Sequence, residues 1–414
     1  MEAQQQQQPQ IQYTEQAVNA MLQACANGNI PLVQSYLNES RQHSNPPLAA
    51  ALQDQKTGKS PLMIAAENGH LELCRMLLEE GGPWNAVDRQ GKCAGNYATD
   101  RQHWDVVNLL VDAGTKAELI LGAVIRLKMQ NGGSDPALSA PSENRPVGHE
   151  PCTKPDYLNQ KVRYNAANTA LLDEDDDAVM MEWERPLMDA HASIITGNSQ
   201  KGKVVLNVGF GMGIIDTALQ KLDPAMHYII EAHPDVYKKM INDGWDKKPN
   251  VRICFGRWQD EMPKLVNQGV MFDGIFYDTY GEHFTDLEDF HEGVARTLQK
   301  PNGVYSFFNG LAPDNLFFHG VACQCVKLQL ANMGLDSEFA PCEIHVKDTA
   351  WDGVRRKYWH GRDTYYLPIV TWNNGHLVKQ HFGNTQNSIS NNEKRDMSGM
   401  HNADEENKKM KTGI

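Results

Sequence analysis

No stretch of the chain approaches the roughly 18 consecutive apolar residues that a membrane helix needs, so no membrane association is expected. Basic charge is scarce: 39 Lys and Arg stand against 52 Asp and Glu, a formal net charge of −13. A direct nucleic-acid binder would show a basic stripe, so none is expected here, and the acidic balance suits a partner that is itself basic. Paired cysteines are absent too. Cys25, Cys74, Cys93, Cys152, Cys254, Cys323, Cys325 and Cys342 are scattered, with no CxxC among them. All eight are expected as reduced thiols, mostly in the core, and no metal is expected. The N-terminus carries five glutamines at 4–8 in place of a charged-then-apolar secretory signal. The expected address is the cytoplasm, and the nucleus as well if the C-terminal tail carries a signal.

What the chain has is enough apolar residue, 41% of 414, for two domains and a tail. Gly58-Lys59-Ser60-Pro61-Leu62-Met63-Ile64-Ala65-Ala66-Glu67-Asn68-Gly69-His70 reads as a turn followed by the first helix of an ankyrin repeat. A weaker copy follows, with Gly91, Ala98 and His103; Gly58 to Gly91 and His70 to His103 are both 33 residues, the ankyrin period. An earlier half-match around Ala24 to Asn29 requires a loop insertion before the next copy. Three stacked repeats bury what one cannot. Residues 115–127 are expected as a terminal capping helix. Residues 1–15 and 383–414 read as disordered, 16–130 as the repeat domain, and 131–156 as a linker rich in Gly, Ser, Pro and charge. With that linker between two cores, removal of residues up to about Gln130 is expected to leave a folded second domain.

Residues 157–382 alternate strand-like and helix-like runs, which predicts a mostly parallel sheet covered on both faces. The apolar run Val204 to Val208 enters Gly209-Phe210-Gly211-Met212-Gly213, a G-x-G-x-G turn. Glycine at Gly211 allows a ligand close approach to the backbone. The next predicted strand ends in Glu231, 18 residues past Gly213, where a carboxylate accepts hydrogen bonds from both hydroxyls of a ribose. NAD and S-adenosylmethionine both fit. The missing final x-x-G and the lack of a second mononucleotide half favour S-adenosylmethionine. Trp258 and Gln259 follow the third strand, where adenine contacts are expected.

Two carboxylates stand near this turn. Glu184 precedes the sheet, and Asp278 ends the fourth strand, at the edge where doubly wound folds bind ligands. A guanidinium is planar, always charged and carries five donors, so two carboxylates can grip it through charge-assisted bonds. The acidic run at 173–177 reads as a solvated loop, with guidance of a basic partner as the alternative.

These residues resemble guanidinoacetate methyltransferase and, more closely, the fungal type IV protein-arginine methyltransferases, which modify the delta (N5) nitrogen. The resemblance is carried by Tyr164-Asn165-Ala166-Ala167-Asn168-Thr169, by Met180, Trp183, Glu184, Pro186 and Met188, by Val208 to Ile214, by Ile229-Ile230-Glu231, and by Phe272 to Tyr280. It implies a seven-stranded Rossmann-like α/β methyltransferase sheet behind a small all-α ankyrin-repeat domain. It further implies S-adenosylmethionine contacts from Tyr157, Met180, Met188, Phe210, Gly211, Met212, Gly213, Ile214, Ile215, Glu231, Ala232, His233, Trp258, Gln259 and Asp278, with Glu184 and Asp278 holding the substrate guanidinium. Tyr157 stands where the small-molecule enzyme has tryptophan, and Gly281 where it has proline. The implied protein is a monomer acting on a basic protein that presents an arginine, with the repeats as a docking module. The rival reading is a small-molecule guanidino methyltransferase with an accessory ankyrin domain.

Overall fold

The computed structural model describes residues 14–130, 153–197, 202–282, 284–359 and 363–373. Residues 1–13, the expected tail and most of the expected linker lie outside these residues, as does Cys152; Thr14 and Glu15, expected in the disordered N-terminus, instead cap and open the first helix. The seven described cysteines are free thiols, five of them buried. No helix among the described residues is long and apolar enough to cross a membrane.

The chain divides into two compact units, the first made of residues 1–145 with 310–328 and 358–360, the second of the remainder. In the first, three helix pairs form the repeats: α1 Glu15–Ala26 with α2 Ile30–Arg41, α3 Pro61–Glu67 with α4 Leu71–Glu79, and α5 Ala94–Asp100 with α6 Trp104–Gln130. The Gly-His spacing has a steric cause. Gly28 is left-handed (φ +64°), and a Cβ there would lie 2.9 Å from the ring of His70, whose Nε2 meets the Ala26 carbonyl at 2.9 Å. Gly69 (φ +71°) stands in the same relation to His103, at 2.7 Å. Each repeat thus makes room for the histidine of the next, and a side chain at either glycine would prise the stack apart. The separate capping helix expected at 115–127 is not formed. α6 runs unbroken through it for 27 residues; Gly114, where a stop could fall, is absorbed into the helix with Trp84 packed where its Cβ would be.

The second unit opens with a small antiparallel sheet, β1 Arg163–Tyr164, β2 Ala170–Leu172 and β3 Ala178–Met181, followed by α7 Arg185–Thr196. The main sheet then follows: β4 Val204–Val208, α8 Ile214–Lys221, β5 Met226–Glu231, α9 Pro234–Asn242, β6 Val251–Phe255, α10 Trp258–Asn267, β7 Gly274–Tyr277, α11 Phe284–Thr297, β8 Val304–Phe307, α12 Leu316–Asn332, β9 Leu335–Glu343 and β10 Thr364–Trp372. Its order is β6-β5-β4-β7-β8-β10-β9. The first five strands are parallel, and β10 runs antiparallel to both its neighbours. The chain builds outward from β4 to β6, then returns to β7 on the other side of β4. The carboxyl ends of β4 and β7 therefore flank the point where the winding reverses, the crevice where such sheets bind ligands.

Residues 310–328, which strand–helix alternation places in the second domain, cluster with the repeats. Phe317, Val321 and Cys325 of α12 are buried in the apolar core of α1 to α6. A Cβ at Gly95 would lie 2.1 Å from the Phe317 ring, and Asn96 exchanges hydrogen bonds with Asn315 at 2.8–3.2 Å. Deleting residues up to Gln130 strips these side chains of their cover. Each large apolar side chain so exposed loses about 1.5–3 kcal/mol. The truncated chain is therefore expected to melt well below the intact protein and to bind an apolar dye such as ANS. A truncated chain with unchanged melting temperature and no dye binding contradicts this packing.

Candidate active site

Strand β4 delivers the glycine turn, and each glycine has a particular neighbour. Gly209 has φ +94°, and a Cβ there would lie 1.9 Å from the carbonyl oxygen of Asp278. The backbone of Asp278 is tied to the same place, its N–H donating to the Val208 carbonyl at 2.9 Å. Gly209 is thus what lets the end of β7 lie against the end of β4. Gly211 (φ +55°) faces Met180, whose Sδ would be 2.9 Å from a Cβ and accepts the Met212 N–H at 3.3 Å. Gly213 (φ +69°) starts α8 and sits over the Phe210 ring. Asn207, inside the apolar strand, is fully buried and holds the Gly209 carbonyl and Asp216 through its amide nitrogen. That buried polar brace has no signature in the strand pattern.

Glu231 ends β5 with its carboxyl turned to the same crevice. It accepts from the Phe210 N–H at 2.9 Å and the His233 N–H at 2.6 Å. Burial pushes its pKa up, and these backbone donors pull it back. Phe210 contributes its N–H here, while its ring packs 5.2 Å from Trp245 in the core. Ile214, Ile215 and Met188 are likewise buried. Ala232 and His233 continue from Glu231. The His233 ring serves structure: Nδ1 caps α9 by accepting the Asp235 N–H at 3.2 Å, and Nε2 meets the Gln160 carbonyl at 3.1 Å. Burial holds its pKa down, so it is a neutral donor to that carbonyl. Tyr157 lies between His233 and Tyr280, ring centroids 4.8 and 4.9 Å away.

Glu184 and Asp278 share Tyr365 as a neighbour. Glu184 sits at the N-terminus of α7, buried, with one carboxyl oxygen accepting the Met181 N–H at 2.9 Å. Asp278 keeps an opening to solvent, yet the protein packed around its carboxyl pushes its pKa up to about 7. Both carboxylates act on one phenol: the Tyr365 hydroxyl is pushed well above its ordinary value, first by burial, then by Asp278 and Glu184. Tyr365 is fixed in turn by His191 Nε2 at 3.0 Å and the Asn309 N–H at 2.7 Å.

The loop after Asp278 is held from two sides. Tyr280 donates to Asp173 at 2.9 Å, and the Lys154 N–H donates to the Gly281 carbonyl at 2.8 Å. The acidic run at 173–177 is only in part the solvated loop expected: Glu174, Asp175 and Asp176 are exposed, but its two ends are not. Asp173 and Asp177 are buried and ion-paired: the Lys154 ammonium contacts Asp173, lies 2.9 Å from Asp175 and 3.0 Å from Asp177, and Arg355 Nε meets Asp177 at 3.0 Å. Their partners are remote in sequence, so a local reading sees only charge. Glu282, absent from the sequence-based site, accepts hydrogen bonds from Trp258, Gln259, Tyr277 and Thr279.

A parallel sheet closed by one reversed strand, a glycine turn at the winding reversal and an acidic residue ending the neighbouring strand together define an α/β methyltransferase domain, here preceded by ankyrin repeats. The guanidinoacetate N-methyltransferase family matches residues 147–318, and ankyrin repeats in three copies match residues 21–119. Relatives named protein arginine N-methyltransferase 2 align from Candida glabrata (36% identical, 77% of this chain and 86% of that one) and Aspergillus oryzae (32%, 86% and 96%). One from Yarrowia lipolytica is 45% identical over 52% of this chain, which spans only 47% of that relative. The chain belongs to this fungal protein arginine N-methyltransferase 2 family.

Proposed function

We propose that the protein transfers a methyl group from S-adenosylmethionine to the inner, delta (N5) nitrogen of an arginine in a basic protein substrate. The observation that carries this reading is Asp278 set against the glycine turn, with Glu231 ending the neighbouring strand and Glu184 heading α7. The residues fit the cofactor: Glu231 offers a carboxylate at the strand end, and the glycine turn leaves backbone open beside it. Glu231 would hold the ribose, Trp258 and Gln259 the adenine, and the backbone from Phe210 to Gly213 the amino-acid end. The cofactor supplies a sulfonium methyl already activated for transfer, which leaves positioning to the protein.

Guanidinium nitrogens are poor nucleophiles because their lone pairs are delocalised. Glu184 and Asp278 draw positive charge toward the terminal nitrogens they hold and leave electron density on the inner one. Asp278 then accepts the proton released as that nitrogen becomes methylated, a task its near-neutral pKa suits. The protein acts as a monomer with the repeats as a docking module, in the cytoplasm and, given a signal, the nucleus. A second reading, a small-molecule guanidino methyltransferase, is favoured by the family match over residues 147–318. Labelled methyl donor offered with heat-treated cell protein and with free guanidinoacetate separates the two. Label is expected in protein, and label in guanidinoacetate alone contradicts the proposal.

The pH profile follows from Asp278. Its pKa in the free protein is raised, so below about 7 the group is protonated; it then neither attracts a cation nor accepts a proton. kcat/KM is expected to rise through about pH 7 to a plateau, falling about tenfold per unit on the acid side. A flat profile between about pH 6 and 8 contradicts the role given to Asp278.

A further inference from the structure

Glu282 lies between β7 and α11, four residues past Asp278. One oxygen accepts from Trp258 Nε1 and Gln259 Nε2, both at 3.0 Å. The other accepts from the Tyr277 hydroxyl at 2.6 Å and the Thr279 hydroxyl at 2.7 Å, the two residues that flank Asp278. The carboxylate thus joins the wall expected to face adenine to the loop that carries the guanidinium clamp.

The Gln259 amide is oriented by this arrangement. Its nitrogen faces Glu282 and, at 3.4 Å, Asp286. Carboxylates only accept, so the NH₂ edge must point toward them, and the carbonyl edge is turned the other way. That carbonyl oxygen is buried and has no hydrogen-bond partner. A buried acceptor in a binding wall calls for a donor. The 6-amino group of adenine is one; hypoxanthine offers a carbonyl oxygen at the same position.

We propose that Glu282 is a positioning residue: it fixes the Gln259 amide so that its carbonyl selects a 6-aminopurine, and it pins the residues on either side of Asp278. This rests on the cofactor reading above. A single carboxylate would then serve both cofactor selection and the placement of the arginine clamp.

The test is calorimetric binding of S-adenosylhomocysteine and S-inosylhomocysteine to the full chain. The wild-type protein is expected to prefer the adenosyl ligand by at least about tenfold, the value of one well-placed hydrogen bond. Glu282→Ala is expected to bring the two affinities close to equality and to slow methyl transfer at least about tenfold. Glu282→Gln is expected to keep the preference. Its carbonyl can serve Trp258 and Gln259, while the Tyr277 and Thr279 hydroxyls turn to accept from its NH₂. A merely structural role would lower the melting temperature and weaken both ligands together, leaving their ratio unchanged. A folded Glu282→Ala protein with the wild-type ratio overturns the proposal, as does a folded Glu282→Gln protein that has lost it. Should the alanine variant not fold, Gln259→Leu decides: retained preference overturns the proposal. Equal wild-type affinity for the two ligands overturns it and leaves the cofactor reading standing, whereas wild-type protein that binds neither removes the cofactor reading itself.

Discussion

Asp278→Asn is expected to lower the rate of methyl transfer by at least about two orders of magnitude while leaving cofactor affinity nearly unchanged. The substitution preserves shape but removes the charge and the proton acceptor. A hydrogen bond to a charged group contributes roughly 1.5–3 kcal/mol, and proton acceptance contributes about 10²–10⁴-fold. Glu231 and the backbone of the glycine turn are untouched, so S-adenosylhomocysteine should bind as before. The inflection near pH 7 should vanish from what activity remains. Glu184→Gln is expected to follow the same division with a smaller loss of rate. One Glu184 oxygen already serves the Met181 N–H, a bond the glutamine carbonyl can keep. Single-turnover rates with calorimetry alongside check both variants; near-normal turnover in Asp278→Asn contradicts the mechanism.

Gly209→Ala is expected to be as damaging by a different route. The added methyl would meet the Asp278 carbonyl oxygen at 1.9 Å, and the neighbour is backbone just past the end of a central strand, not a flexible side chain. The residue also has φ +94°, where an L side chain is strained. Strain and overpacking together cost about 2–6 kcal/mol. Relief requires the end of β7 to move, which carries Asp278 away from Glu184, so activity should fall along with stability. Gly269→Ala supplies the control: φ is +68° there, but nothing lies within 4 Å of the new methyl. It should cost only the left-handed backbone term, about 1–2 kcal/mol, and leave activity intact. Urea unfolding midpoints that place the two variants together would contradict the close approach described here.

The comparison of these two glycines also indicates what the sequence makes legible. The G-x-G-x-G turn, Glu231 and the alternation of strands and helices along the chain are readable because turn chemistry and periodicity are local. That Gly209 serves Asp278 is not readable, because the contact joins strands 69 residues apart in the chain. The same holds for the bond from Tyr280 to Asp173, 107 residues away, and for Asn96 with Asn315, 219 residues away. α10 left no clear signal of its own: Pro263 lies inside it, and its first residues read as ligand contacts. Glu282 has no local sequence signal. Its four donors come from both sides of the site, and only the folded chain brings them together. The Gly-His spacing of the repeats is the opposite case, since packing between successive repeats recurs in the sequence as a period.

The central claim is that the carboxylate pair holds the terminal nitrogens of an arginine and leaves the inner one to be methylated. Fragmentation mass spectrometry of a protein substrate methylated with deuterium-labelled donor tests it directly. Cleavage between the inner nitrogen and the guanidine carbon should leave the labelled methyl on the peptide, because the inner nitrogen stays with the side-chain stem. Label departing with the released carbodiimide, which holds the guanidine carbon and the two terminal nitrogens, would place the methyl on a terminal nitrogen and contradict the account.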